Sequence, residues 1–175
     1  MKTLISLLSL VTLLGCVHPN YQAAQNSEFT QANYSAVDKL LATPSLALDR
    51  ELPLLVATLV NIDAMNQSSR LGRLVSEQIA SRLTQQGYSV VEMKLRNNVY
   101  IREGAGELLL SRDVRDLSKS HNAHAVVVGN YAVAATYVFL TLKIVSVADN
   151  RVLAATNYLL PLTENNKVLL ASPRE

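Results

Sequence analysis

The sequence predicts an α/β domain: a compact two-layer arrangement of a mixed sheet of about four to five strands, two main helices and a C-terminal β-hairpin. Three observations carry this. Residues 52–60 are apolar on both alternating faces, as a strand covered on both sides requires. Residues 68–87 have helical spacing and run directly into a β-rich stretch, which makes a strand–helix–strand unit. Residues 137–160 alternate on either side of Asp149-Asn150, a short-hairpin signal.

The helix over 69–86 is the clearest element. Serines stand at its start, where a hydroxyl accepts a free N–H of the first turn. Leu71, Leu74, Val75, Ile79 and Leu83 fall on one side. Gly87 supplies the positive φ that ends it, and Gly72 suits close packing of the helix. Two residues fit the amphipathic pattern badly, Gln78 and Arg82, which project within the apolar arc. Arg82 is near enough to the C-terminal end to snorkel toward water and favour the helix dipole. Gln78 needs a hydrogen-bond partner or an edge position.

The remaining elements follow in order. Residues 28–42 read as an amphipathic helix stopped by Thr43-Pro44. Residues 88–95 read as a strand with one side nearer water, and residues 99–101 as a short further strand. Gly104-Ala105-Gly106 is a loop that lacks the third glycine of a dinucleotide fingerprint. Residues 111–120 read as a second helix capped by Ser111, residues 123–131 as a second buried strand, and the tail from Leu162 as a short helix or a trailing segment.

The N-terminus predicts the compartment. Met1-Lys2 and the apolar run to Leu14 form a signal peptide over residues 1–15, too short to span a bilayer. Leu13-Leu14-Gly15-Cys16 resembles the bacterial lipobox, in which the cysteine becomes the first mature residue and carries lipid; the alternative is an ordinary signal with an incidental cysteine. Cys16 is the only cysteine in the chain. Val17 in place of an aspartate points, by analogy with such lipoproteins, to the outer membrane. Residues 16–27 form a polar tether, and residues 28–175 a single domain with its core in 50–160.

Composition excludes several classes. Hydrophobic residues are 49% of the 175, enough for a packed core. The formal net charge is +2 with Lys and Arg scattered, which argues against nucleic acid. No nucleophile–base pair or Gly-x-Ser-x-Gly elbow occurs, so no catalytic residue is named and no enzyme is expected. His121 and His124 lack the third and fourth ligands of a metal site. Glu103 and Glu107 read as solvated loop charges. No metal or cofactor is expected.

Interaction surfaces remain. Arg70, Arg73 and Glu77 share the polar side of the long helix, either as a solvated face with an i,i+4 pair or as a partner contact. In the hairpin, a two-residue turn sets Ala148 opposite Arg151 and gives two faces. One carries Val138, Leu140, Leu142 and Ile144 beside Leu153, Ala155 and Leu159, and is expected under helices. The other carries Tyr137, Phe139, Thr141, Lys143 and Val145 beside Val152, Thr156, Tyr158 and Leu160. Three aromatic rings on one face, in a chain only 5% aromatic, make an adhesive surface unless the first helix or the tail covers it.

The order of elements resembles an αβ domain of bacterial envelope lipoproteins, among them the curli-secretion pore subunit and the penicillin-binding-protein activators. Residues 69–80 (SRLGRLVSEQIA), 87–92 (GYSVVE), 106–113 (GELLLSRD) and 125–131 (AVVVGNY) are similar to the FlgO family of flagellar outer-membrane proteins. One departure is Gly129-Asn130-Tyr131, where Gly-Thr-Tyr is expected. The resemblance implies a non-enzymatic part of the flagellar apparatus, at the outer membrane through lipid on Cys16. Its implied partners are copies of itself and other outer-membrane or basal-body ring proteins, and its implied role is support of motility. Arg70, Arg73, Glu77, Tyr137, Phe139 and Tyr158 are the candidate contacts. The alternative is an envelope lipoprotein of the curli-secretion or cell-wall-synthase-activator type.

Overall fold

A computed structural model describes residues 28–65, 67–93 and 112–171. The expected signal peptide and tether, Cys16, the strand expected at 99–101, the loop glycines 104 and 106 and the expected cap Ser111 lie outside them. The elements are α1 (Glu28–Leu41), β1 (Leu54–Ala57), β2 (Val60–Asn61), α2 (Arg70–Gln85), β3 (Val90–Met93), α3 (Arg112–Ser120), β4 (Ala125–Val133), β5 (Tyr137–Ser146), β6 (Val152–Pro161) and α4 (Glu164–Leu170).

The sheet has the order β3-β1-β4-β5-β6, with β2 pairing β4. Strands β3, β1 and β4 are parallel neighbours, and the chain reverses from β4 to β5 to β6. The sixth strand arises because the apolar run at 52–60 is interrupted. At Leu59 the backbone leaves the ladder and bonds to side chains around α2 instead: its N–H donates to Ser76 Oγ at 2.8 Å and its carbonyl accepts from Ser68 Oγ at 2.6 Å.

One face of the sheet carries the main core. Leu54, Val56, Val127, Leu140, Leu142 and Ile144 pack beneath Val37 and Leu40 of α1 and Leu71, Val75, Ile79 and Leu83 of α2. On the opposite face a second cluster of Leu55, Val126, Val128 and Val145 has Leu117 of α3 packed against it. Strand β1 is thus buried on both sides, as its unbroken apolar run demands. Ser69 caps α2 by accepting from the Gly72 N–H at 3.1 Å. Gly87, at φ 84°, closes it, with the Tyr88 N–H returning to the Leu83 carbonyl.

The hairpin register differs from the expected one. Asn150 adopts φ 59°, and the Ser146 N–H donates to the Arg151 carbonyl, which holds a wider loop than two residues. Val145 pairs with Val152 but Ile144 pairs with Ala154, so Leu153 is an extra residue on β6. A single bulge inverts the facing of everything beyond it. From there on, Tyr158 lies opposite Leu140 on the helix-covered face and Leu159 lies opposite Phe139 on the outer face. Tyr158 therefore leaves the group of surface candidates.

Candidate functional site

The polar side of α2 divides into a committed and an exposed part. Arg70 reaches over the end of α4 and donates through Nη2 to the carbonyls of Val168 and Ala171. It satisfies carbonyl groups that a helix C-terminus leaves without internal partners, and its buried Nε has no hydrogen-bond partner among the described residues. Arg73 and Glu77 are exposed. Leu74, expected in the apolar arc, is 38% exposed beside them. A shallow cavity of about 160 Å³ beside Arg70 and Arg73 is lined also by Asn61, Ser68, Tyr131 and Ala171.

The two misfit residues of α2 bind it to α1. Gln78 accepts from Asn33 Nδ2 at 2.6 Å and donates to Thr30 Oγ1 at 3.2 Å. Asn33, fully buried, accepts in turn from the Tyr158 hydroxyl at 2.6 Å. The chain Tyr158–Asn33–Gln78–Thr30 links β6, α1 and α2, and burial pushes the Tyr158 hydroxyl well above the usual phenol range. Arg82 does not snorkel away. Its Nε and Nη2 grip Asp38 at 2.9 and 2.8 Å, Gln86 adds a bond to the same carboxylate at 3.0 Å, and the guanidinium stands 5.3 Å over the Tyr34 ring.

The Arg82 guanidinium holds the Asp38 carboxyl below its ordinary value. A depressed carboxyl contributes stability above its unfolded pKa, and that contribution is lost as pH falls through the folded one. Both side chains are partly solvated, so Asp38→Asn is expected to cost about 1 kcal/mol at neutral pH. In urea titrations the gap between wild type and variant should close as pH drops below about 4. A gap that is constant with pH would mean the pair contributes by packing alone.

From Lys143 to Tyr137, beyond the buried Val145, the outer face of the hairpin is open. Strands β4, β5 and β6 set Ala132, Phe139 and Leu159 in one cross-strand row, Asn130, Thr141 and Asn157 in the next, and Val128, Lys143 and Ala155 in a third. Tyr137, Phe139 and Leu159 are 45%, 52% and 47% exposed. Leu117 of α3 packs on a cluster that takes in Val145 of β5, while Phe29 of α1 and Leu169 and Leu170 of α4 pack into the core on the other side. Neither the first helix nor the described part of the tail covers this surface. Leu159, placed outward by the bulge, is an exposed apolar residue that alternation alone could not identify.

Among the described residues no group of three His, Cys, Asp or Glu is placed to hold a metal ion. His124 ties the connection after α1 to β4, its Nε2 accepting from the Asp49 N–H at 3.3 Å. No helix among the described residues is long and apolar enough to cross a membrane.

By architecture the molecule belongs with small αβ domains whose helices flank a mixed sheet. The C-terminal domain of LpoB from Salmonella enterica superimposes with a TM-score of 0.55 over 77% of this chain and 98% of its own, at 13% identity. That of LpoB from Escherichia coli does so with a TM-score of 0.54 over the same shares, also at 13% identity. This likeness is one of fold, and it bears out the relationship expected from the order of elements. No curated protein matches the chain. The chain belongs to the FlgO protein family, whose model matches residues 34–165. That span takes in most of α1 as well as the hairpin, more than the 50–160 in which the motifs lie. Membership of the family supports an envelope lipoprotein.

Proposed function

We propose that this protein is a non-enzymatic structural component of the bacterial flagellar apparatus at the outer membrane. It is anchored through lipid on Cys16, self-associates around the basal body and supports motility. Its membership of the FlgO family over residues 34–165 carries this reading. The uncovered surface around Tyr137, Phe139 and Leu159 supports it, because an apolar area left open on a folded domain marks a contact with another surface. Arg73 and Glu77 offer a second, charged contact on α2.

A deletion strain imaged for its basal bodies tests the proposal. Loss or weakening of the outer rings is expected, with reduced swimming, restored by the wild-type chain and not by Phe139→Asp. Intact rings with normal swimming would refute the flagellar assignment.

A further inference from the structure

Strand β6 forms one edge of the sheet, and its geometry shows which groups it leaves free. The Leu162 N–H donates to the Thr136 carbonyl at 2.8 Å, which makes that pair a mutually bonded one. Bonded and non-bonded pairs alternate along an antiparallel ladder. The bonded pairs are therefore those of Leu160, Tyr158, Thr156 and Ala154. The N–H and C=O groups of Ala155, Asn157 and Leu159 point off the sheet. All three residues are exposed, with α1 on the opposite face.

Such an edge invites another strand, and proteins that avoid this guard it with charges, prolines or bulges. From Val152 to Pro161 no residue is charged. The bulge at Leu153 and Pro161 lie at the two ends and leave the middle unguarded. The opposite edge, β3, has four residues and carries the exposed Glu92.

We infer that β6 pairs antiparallel with β6 of a second copy, centred on Asn157, to form a two-fold dimer with one continuous sheet. The free backbone groups lie symmetrically about Asn157, so a copy turned by a half rotation meets each donor with an acceptor. Asn157 then faces its own counterpart, and Leu159 of each copy stands against Ala155 of the other, large beside small on the outer face. The apolar row of Phe139 and Leu159 continues across the junction, and the row of Thr141 and Asn157 becomes a polar ladder through its centre. A strand of different sequence could make the same backbone bonds, but this reversed large–small match is a property of β6 itself.

The inference deepens the self-association in the proposed function and rests on that reading only for where the dimer acts. The full chain, purified in detergent, is measured by light scattering as wild type, Asn157→Lys and Asn157→Cys. Wild type is expected as a dimer or an even multiple. Asn157→Lys opposes two lysines across the axis and is expected to halve the mass with unchanged melting temperature. In Asn157→Cys the paired Cα atoms would lie about 5.5 Å apart, within disulfide range. It is expected to give at least about tenfold more disulfide dimer than the exposed control Asp63→Cys, with wild type reporting any contribution of Cys16.

A monomeric wild type, or an Asn157→Lys protein of unaltered mass, would overturn the inference. If Asn157→Lys fails to fold, the cross-linking yield of Asn157→Cys decides alone. A β6 dimer in a protein whose deletion leaves the rings intact overturns the flagellar reading and not this one. Lost rings with a monomeric protein do the reverse.

Discussion

Gly72→Ala is expected to destabilise the domain by about 3 kcal/mol, at the upper end of what overpacking costs. For a domain of this size that is a fall in Tm of about 10 °C. Helix propensity alone argues for the opposite sign, since alanine inside a helix is favoured over glycine by about 1 kcal/mol. The surroundings decide. A Cβ at Gly72 would sit 2.6 Å from the Leu59 carbonyl oxygen, 2.6 Å from Ser68 Oγ and 2.9 Å from the Tyr131 ring. The Ser68 hydroxyl could swing aside, but the Leu59 carbonyl belongs to the backbone between β1 and β2. The same carbonyl accepts from Ser68, so moving it breaks the contact that ends β1. Thermal unfolding of the variant tests this, and a Tm equal to or above that of wild type would show that α2 can ride outward without loss.

Asn33→Leu is the second large effect. Leucine is nearly isosteric with asparagine, so the cavity contribution is small and the loss is polar. The Tyr158 hydroxyl and the Gln78 carbonyl oxygen would lose their partner together. A buried group left unsatisfied costs about 1–3 kcal/mol, and Gln78, only half-buried, recovers part of its share by turning to water. The expected net loss is about 2–3 kcal/mol in a urea titration. Tyr158→Phe removes the other end of the chain and should cost about 1 kcal/mol by itself. The double variant should fall short of the sum by at least about 1 kcal/mol, because the second change removes a group the first had stranded. Strict additivity would mean the two side chains do not act as one network. Because Tyr158 faces inward, Tyr158→Phe should leave the association state unaltered while Phe139→Asp changes it.

Elements whose signals are local could be read from the sequence. The cap at Ser69, the apolar positions of α2 and the left-handed Gly87 lie within one stretch, and each has a short-range cause. The doubly buried β1 declared itself by the absence of alternation. The hairpin was recognisable by its turn residues, but its facing was not, since an extra residue in a strand leaves no mark in hydrophobic alternation when Leu153, Leu159 and Leu160 are all apolar. That one residue moved Tyr158 inside and Leu159 outside.

Long-range polar pairing was equally hidden. Gln78 and Arg82 were visible as misfits, yet their partners Asn33 and Asp38 lie on α1, more than forty positions earlier. Spacing rules within one helix cannot reach that far. From the sequence Arg70 reads as free surface, because the tail is equally compatible with a helix and a trailing chain. Once α4 forms, its terminal carbonyls occupy that guanidinium.

The bulge at Leu153 also bears on how this protein can change over evolutionary time. Along β6, substitutions are cheap at Ala155 or Asn157, whose side chains point to solvent in the monomer. Chain length there is another matter. Losing Leu153 itself would remove the bulge and leave Tyr158 opposite Leu140, but losing one residue between Ala154 and Tyr158 with the bulge kept would lift the tyrosine out of its network and drive Leu159 toward α1. A single-codon deletion would thus exchange the interior and exterior of half a strand at once. Insertions and deletions should therefore survive in the loop around Asp149 far more readily than within the strand that follows it.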